Sequence, residues 1–311
     1  MSVVLFGYHN MGCVALKALK ETGVDVSAVI THQDNPNENI WFESLRAMAG
    51  SMGIPVYHPD DVNTPEWVGF IRRLSPDVIL SCYYRNMIKE EILAIPKIAA
   101  LNLHGSLLPR YRGRCPVNWQ IIFGETKGGV TLHHMVRKAD AGDIVAQKEV
   151  DISETDTAFT LFKKMEAATY ELLKEFIPRV LDGTAPRTPQ DHSLATYFGG
   201  RRPEDGIIDW NLPARDIYNL IRAVTWPYPG AFSFLNGKKL IIWWAEPLSD
   251  MELGLIPGTI KVEGCNVFVQ TGKGILRLVN ASEDDIPPNK CPDVLKLVRD
   301  GDRFIIKYSL G

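Results

Sequence analysis

Val3-Val4-Leu5-Phe6-Gly7-Tyr8-His9-Asn10-Met11-Gly12 stands at the start of this 311-residue chain. Four apolar residues run into a glycine turn, and a helical pattern follows to about Glu21. That is the signature of a buried strand, a tight turn and an amphipathic helix. The alternation then repeats. Val24–Thr31 reads as a strand, Trp41–Met52 as a helix and Ile54–Tyr57 as a short strand. Thr64 is placed as the N-cap of a helix with Pro65 at its first position, running to about Leu74. Asp77–Cys82 and Ala99–Leu103 are further strands. Near-continuous apolar strands separated by helices predict an α/β architecture with a parallel sheet covered on both faces.

Outward from this region the rhythm changes. Gly129–Val136 and Ile144–Ile152 read as two strands joined by the polar link Arg137–Asp143, and Thr157–Leu181 as one long helix. Pro186, Pro189 and Gly199-Gly200-Arg201-Arg202-Pro203 mark a break near residue 200. Beyond it come a helix at Ala214–Val224 and five short strands, Gly230–Leu235, Lys239–Trp244, Gly258–Val262, Asn266–Gln270 and Ile275–Leu278. Five strands at that spacing suggest a small β-barrel. The expectation is an α/β domain over residues 1–200 and a barrel domain over 204–311.

Composition narrows the function. With 34 Lys and Arg against 37 Asp and Glu, the chain does not grip nucleic acid by bulk charge. No apolar stretch is long enough to span a bilayer, and no basic segment precedes the first apolar run. Five scattered cysteines, odd in number and without a CxxC, point to reduced thiols and a cytoplasmic protein. No HExxH or His/Cys cluster suggests a metal, and no GxSxG suggests a serine hydrolase. The Gly7–Gly12 turn is not GxGxxG, because His9 occupies the second glycine position. A glycine needed for tight packing explains it better than a dinucleotide does. Trp210, Trp226, Trp243 and Trp244 read as core of the small domain rather than as stacking platforms.

The chemistry concentrates in Leu101-Asn102-Leu103-His104-Gly105-Ser106-Leu107-Leu108-Pro109. Asn102 and His104 are two apart, so a strand places both side chains on one face. Together they can converge on a carbonyl oxygen becoming an oxyanion. An isolated Asn-x-His is usually structural. Here it is followed by the Gly/Pro-ordered basic run Tyr111-Arg112-Gly113-Arg114-Cys115-Pro116, which suits an anionic ligand. Asp140 or Asp143, both in the link between the two middle strands, could orient His104 and raise its pKa, and spacing does not choose between them. His133 and His134 read as packing residues in mid-strand.

These motifs amount to a resemblance. Asn102-Leu103-His104-Gly105-Ser106-Leu107-Leu108-Pro109, Tyr111-Arg112-Gly113, Gly129-Val130-Thr131-Leu132 and Asp140-Ala141-Gly142-Asp143-Ile144 resemble the formyltransferases that use 10-formyltetrahydrofolate. Gly7-Tyr8-His9-Asn10-Met11-Gly12-Cys13, Thr31-His32-Gln33-Asp34-Asn35-Pro36, Tyr83-Tyr84-Arg85, Pro116-Val117-Asn118-Trp119, Met135–Gly142, Phe198–Pro203, and Arg222-Ala223-Val224 with Pro229–Ser233 carry the resemblance further. Within the family these segments look most like the domain of a bifunctional polymyxin-resistance protein that N-formylates UDP-4-amino-4-deoxy-L-arabinose in lipid A modification. Residues 1–311 hold no counterpart of that protein's decarboxylating dehydrogenase, so another protein is expected to supply the amino sugar.

The resemblance implies a Rossmann-like N-terminal domain and an OB-like C-terminal barrel. It implies Asn102 as transition-state stabiliser, His104 as acid/base residue and Asp140 as the group raising the His104 pKa. It places 10-formyltetrahydrofolate near Asn86, Met87 and Ile88, against Val136, Arg137, Lys138, Ala139 and Asp140, with Arg114 also in contact, and no metal. The expected acceptor is a small sugar nucleotide, UDP- or dTDP-linked. Methionyl-tRNA is the alternative acceptor, but residues 204–311 carry 12 Lys and Arg against 14 Asp and Glu, a poor tRNA platform. A non-catalytic folate or nucleotide sensor is the alternative of another class, and an intact acid/base set argues against it.

Overall fold

The computed structural model describes residues 1–34, 39–283 and 286–305. Asn35 and Pro36 of the Thr31–Pro36 segment, and residues 306–311 of the expected C-terminal domain, lie outside them. The chain forms two compact units. The first comprises Met1–Pro116, Lys127–Asp151 and Phe162–Gly199, and the second Val117–Thr126, Ile152–Leu161 and Gly200–Gly311.

The first unit is built on β1 (Ser2–Gly7), α1 (His9–Glu21), β2 (Asp25–Ile30), α2 (Leu45–Ser51), β3 (Val56–Tyr57), α3 (Pro65–Leu74), β4 (Val78–Cys82), α4 (Glu90–Leu93) and β5 (Ala99–His104). The short strand β6 (Arg112–Gly113) and the hairpin β7 (Lys127–His134) and β8 (Ile144–Asp151) follow, and helix α5 (Pro116–Ile122), between them in sequence, belongs from Val117 onward to the second unit. Helix α6 (Ala158–Leu181) and the short strand β9 (Tyr197–Phe198) follow. The seven-stranded sheet has the order β3-β2-β1-β4-β5-β7-β8. β1, β2, β3, β4 and β5 are parallel, as the alternation predicts, and the β7–β8 hairpin adds on antiparallel.

Both faces of the central strands are buried. Val4, Phe6, Ile30, Ile79 and Ala100 point to one face, where they form a core with Val62, Ile71, Ile88 and Ile92. Val3 and Leu5, on the other face, are also fully buried. Alternate residues of one strand therefore face two different layers, which is why β1 reads as an unbroken apolar run. The Gly7–Gly12 turn is a packing device: a Cβ on Gly7 would sit 3.2 Å from Gly12 Cα and 2.8 Å from Leu45 Cδ2. The second helix is shorter than its pattern suggests, because Trp41 and Phe42 precede it and spend their rings in an aromatic cluster around His9.

The second unit holds α7 (Ala214–Val224) and the strands β10 (Ala231–Leu235), β11 (Lys238–Leu248), β12 (Ile260–Glu263), β13 (Asn266–Gln270) and β14 (Ile275–Ser282). They form an antiparallel sheet in the order β10-β11-β14-β13-β12. The five strands match the expected number, and no pairing between the outer strands β10 and β12 is seen among the described residues. Asn236-Gly237, both at positive φ, close β10 onto β11 in a two-residue turn. The tryptophans serve the core as expected: Trp210 and Trp243 are buried, and their indole N–H groups donate to Ser233 and Ser282. Val117–Thr126 and Ile152–Leu161 group with this unit through α7. Asn118 Nδ2 donates to the Ala223 carbonyl, and the Arg222 guanidinium donates to the carbonyls of Ser153 and Asp156.

Candidate active site

The carboxyl end of β5 carries Asn102 and His104 on one face, as their spacing predicts. The His104 ring is buried, 6% exposed. Its Nε2 lies 2.7 Å from the Tyr111 carbonyl oxygen, which can only accept, so Nε2 carries the ring proton and Nδ1 is bare. Asp140 Oδ1 faces that bare nitrogen at 3.5 Å. The same oxygen lies 3.5 Å from Asn102 Nδ2, and Asp140 Oδ2 accepts the Gly113 N–H at 2.8 Å. Asp143, the other candidate, is turned away and bonds Arg187 Nε through its Oδ2 at 2.7 Å.

One turn fixes both partners. Tyr111 supplies the carbonyl that holds His104, and Gly113 supplies the N–H that holds Asp140. This turn is clamped by β6–β9 pairing, Arg112 against Tyr197 and Gly113 against Phe198. Gly113 sits at φ +95, and a Cβ there would meet the Phe198 carbonyl oxygen at 2.3 Å, so only glycine fits. Arg112 is fully buried, its guanidinium donating to Gln190 Oε1, the Tyr197 hydroxyl and His192 Nδ1. Sequence reading offered Arg112 as an anion ligand, and the structure makes it the anchor of the turn.

Electrostatics refine the expected role of Asp140. Burial pushes the His104 pKa down, while the Asp140 charge and the Tyr111 carbonyl pull it up. Burial prevails, so His104 titrates below its ordinary 6.5 and is neutral at pH 7. Asp140 therefore opposes the drop rather than producing a net rise. Burial pushes the Asp140 carboxyl up, but the His104 and His133 rings and the Gly113 N–H outweigh it, and the acid titrates well below the usual range.

His133, read as packing from the sequence, belongs to the site. It is the register partner of Asn102 across β5 and β7, and its Nε2 lies 3.2 Å from Asn102 Nδ2 and 3.5 Å from Asp140 Oδ1. Mid-strand position alone carried no signal for this; only the β5–β7 pairing does.

The segments expected at the folate lie on two loops. Asn86 and Met87 are exposed, with Met87 at 59%. Ile88 is buried in the core, and Met135 packs against the same cluster just before Val136. That cluster ties the two segments together. Val136, Arg137, Lys138, Ala139 and Arg114 are exposed. Lys138 Nζ lies over the Tyr197 ring at 4.9 Å, and the Arg114 N–H donates to the Phe198 carbonyl. Exposed apolar Met87 and Val136, and the exposed cations Arg114, Arg137 and Lys138, are side chains of the kinds that a flat ring and an anionic tail need. Among the described residues, no group of three or more His, Cys, Asp or Glu is placed to hold a metal ion, and no helix is long and apolar enough to cross a membrane.

Solved structures share this fold. An N-formyltransferase from Helicobacter canadensis, in complex with folinic acid and dTDP-3-aminofucose, superposes with a TM-score of 0.71 at 21% identity, over 90% of this chain and 99% of that one. A sugar N-formyltransferase from Shewanella sp. gives 0.60 at 20% identity, over 78% and 96%. HypX from Aquifex aeolicus, in complex with tetrahydrofolic acid, gives 0.62 at 19%, over 90% of this chain and 43% of that one. At such identities the likeness is one of fold. The sequence itself decides the family: the formyl transferase model matches residues 1–177 and the formyl transferase C-terminal domain model matches 201–296, so the chain belongs to the formyl transferase family.

Proposed function

We propose that this protein transfers the formyl group of 10-formyltetrahydrofolate to the 4-amino group of a nucleotide-linked amino sugar, UDP-4-amino-4-deoxy-L-arabinose being the acceptor the motifs favour. The observation that carries the reading is the single carboxylate oxygen of Asp140 set 3.5 Å from both Asn102 Nδ2 and His104 Nδ1. The folate supplies a formyl group on a nitrogen that can leave. Asn102 offers an N–H to the formyl oxygen as negative charge builds there. His104, neutral and bare at Nδ1, takes the proton that the attacking amine must lose, the Asp140 charge steadies the imidazolium that results, and that proton passes to the folate nitrogen as its bond to the formyl carbon breaks. Met87 and Val136 would flank the pterin, with Ile88 anchoring the first of these loops in the core, while Arg114, Arg137 and Lys138 would meet the tail carboxylates. The ligands of the Helicobacter canadensis enzyme, folinic acid and a dTDP-amino sugar, support a sugar-nucleotide acceptor.

A panel assay tests the reading. Tetrahydrofolate release from 10-formyltetrahydrofolate is followed with UDP- and dTDP-4-amino sugars and with methionyl-tRNA. Turnover with a UDP-4-amino pentose, insensitive to moderate salt, is expected. Transfer to tRNA alone, or folate binding without turnover on any amine, contradicts it.

A further inference from the structure

Asn102 and His133 stand opposite each other on β5 and β7, so their side chains leave the sheet on one face. His133 Nδ1 lies 2.9 Å from the His134 carbonyl oxygen. That oxygen only accepts, so Nδ1 carries a proton, and in the neutral ring Nε2 is bare, facing Asn102 Nδ2 and, at 3.5 Å, Asp140 Oδ1. The bare nitrogen lies 3.2 Å from Asn102 Nδ2 and is shielded from water, His133 being 1% exposed.

We propose that His133 is a positioning residue: its Nε2 accepts one N–H of the Asn102 carboxamide and fixes which end of that amide the site presents. This rests on the formyl-transfer role proposed for Asn102. A carboxamide held on one side only can turn over and offer its oxygen to the reacting carbonyl, which repels a developing oxyanion. With one N–H spent on His133, the amide cannot turn. Among the described residues the second N–H has the long 3.5 Å contact to Asp140 Oδ1, which leaves it available to a formyl oxygen. The strand pairing thus brings a second histidine to the site to hold the asparagine rather than to move a proton.

Two substitutions separate the ring nitrogens. His133→Asn keeps a donor at the Nδ1 position and loses Nε2, whereas His133→Gln keeps a partner at the Nε2 position. His133→Asn is expected to lower kcat about 10–100-fold with both KM values within about threefold, and His133→Gln to stay within about fivefold of the parent. In an Asn102→Ala background, His133→Asn should cost nothing more. Gln falling as far as Asn, or losses that multiply in the double variant, would overturn the proposal. Ring-nitrogen NMR of the parent protein is read independently of turnover. It should show His133 protonated at Nδ1 and bare at Nε2, with the Nε2 resonance moving in Asn102→Ala. A ring protonated at Nε2 overturns the proposal whether or not the protein turns over. The expected spectrum in a protein that transfers no formyl group overturns the functional reading and leaves the hydrogen bond standing.

Discussion

His9 and His104 stand at the carboxyl ends of two strands of one sheet, β1 and β5, and burial pushes both pKa values down. The rest of their surroundings differ. His9 is ringed by Trp41, Phe42 and Phe162, its Nδ1 has no hydrogen-bond partner among the described residues, and Arg85 and Lys163 add to the burial. Its pKa falls to about 3. His104 has Asp140 at 3.5 Å and the Tyr111 carbonyl at 2.7 Å, both of which resist the fall. Burial alone takes a histidine out of proton chemistry, and a fixed carboxylate brings it back within reach.

The comparison is tested first where the effect is largest. Asn102→Ala and His104→Ala should each lower formyl-transfer turnover by about 10²–10³-fold, measured under saturating substrates. Asp140→Asn should lower it by about 10–100-fold with the fold retained by circular dichroism. The pH profile of that variant carries a sign. The reaction needs bare Nδ1, so the rate falls on the acid side as His104 protonates, below pH 6.5. The Asp140 charge favours the protonated ring; without it the acid limb moves to still lower pH.

His9 sharpens the other side of the comparison. Its folded pKa of about 3 lies below the ordinary 6.5, so the unfolded chain binds the proton more readily. The His9 contribution to stability is therefore complete above pH 6.5 and is lost as the pH falls toward 3. Between pH 7 and pH 5 that loss is about 2 kcal/mol. In His9→Gln this contribution to the slope disappears, and urea denaturation at the two pH values should show the parent losing more stability than the variant. The smallest effect is expected at Asp143→Asn. Its partner Arg187 is largely exposed, so stability should change by less than about 1 kcal/mol, and turnover should stay within about twofold. A large rate loss there would break the distinction drawn between the two aspartates.

Much of this was legible from local pattern. The apolar runs of β1, β2, β4 and β5 and the period of α6 lie within the window that sequence periodicity reads, and α7 and β13 fall at their expected limits. The Asn102–His104 pair needed only the two-residue repeat of a strand. What was hidden depends on pairings far apart in the chain. His133 joins the site because β7 is laid against β5, and Arg112 becomes an anchor because β9 is laid against β6. Asp140 and Asp143 are equivalent in spacing, and the Gly113 N–H, held in place by that same β6–β9 pairing, marks one of them as the site residue. The net direction of the His104 shift was also out of reach, since it depends on how deeply the ring is buried.

Asp140 keeps a buried His104 available to a proton. A histidine ring NMR titration of the parent and of Asp140→Asn tests it most directly. His104 should titrate below 6.5 in the parent and lower still in the variant. A His104 that titrates at the same pH in both, or higher in the variant, contradicts it.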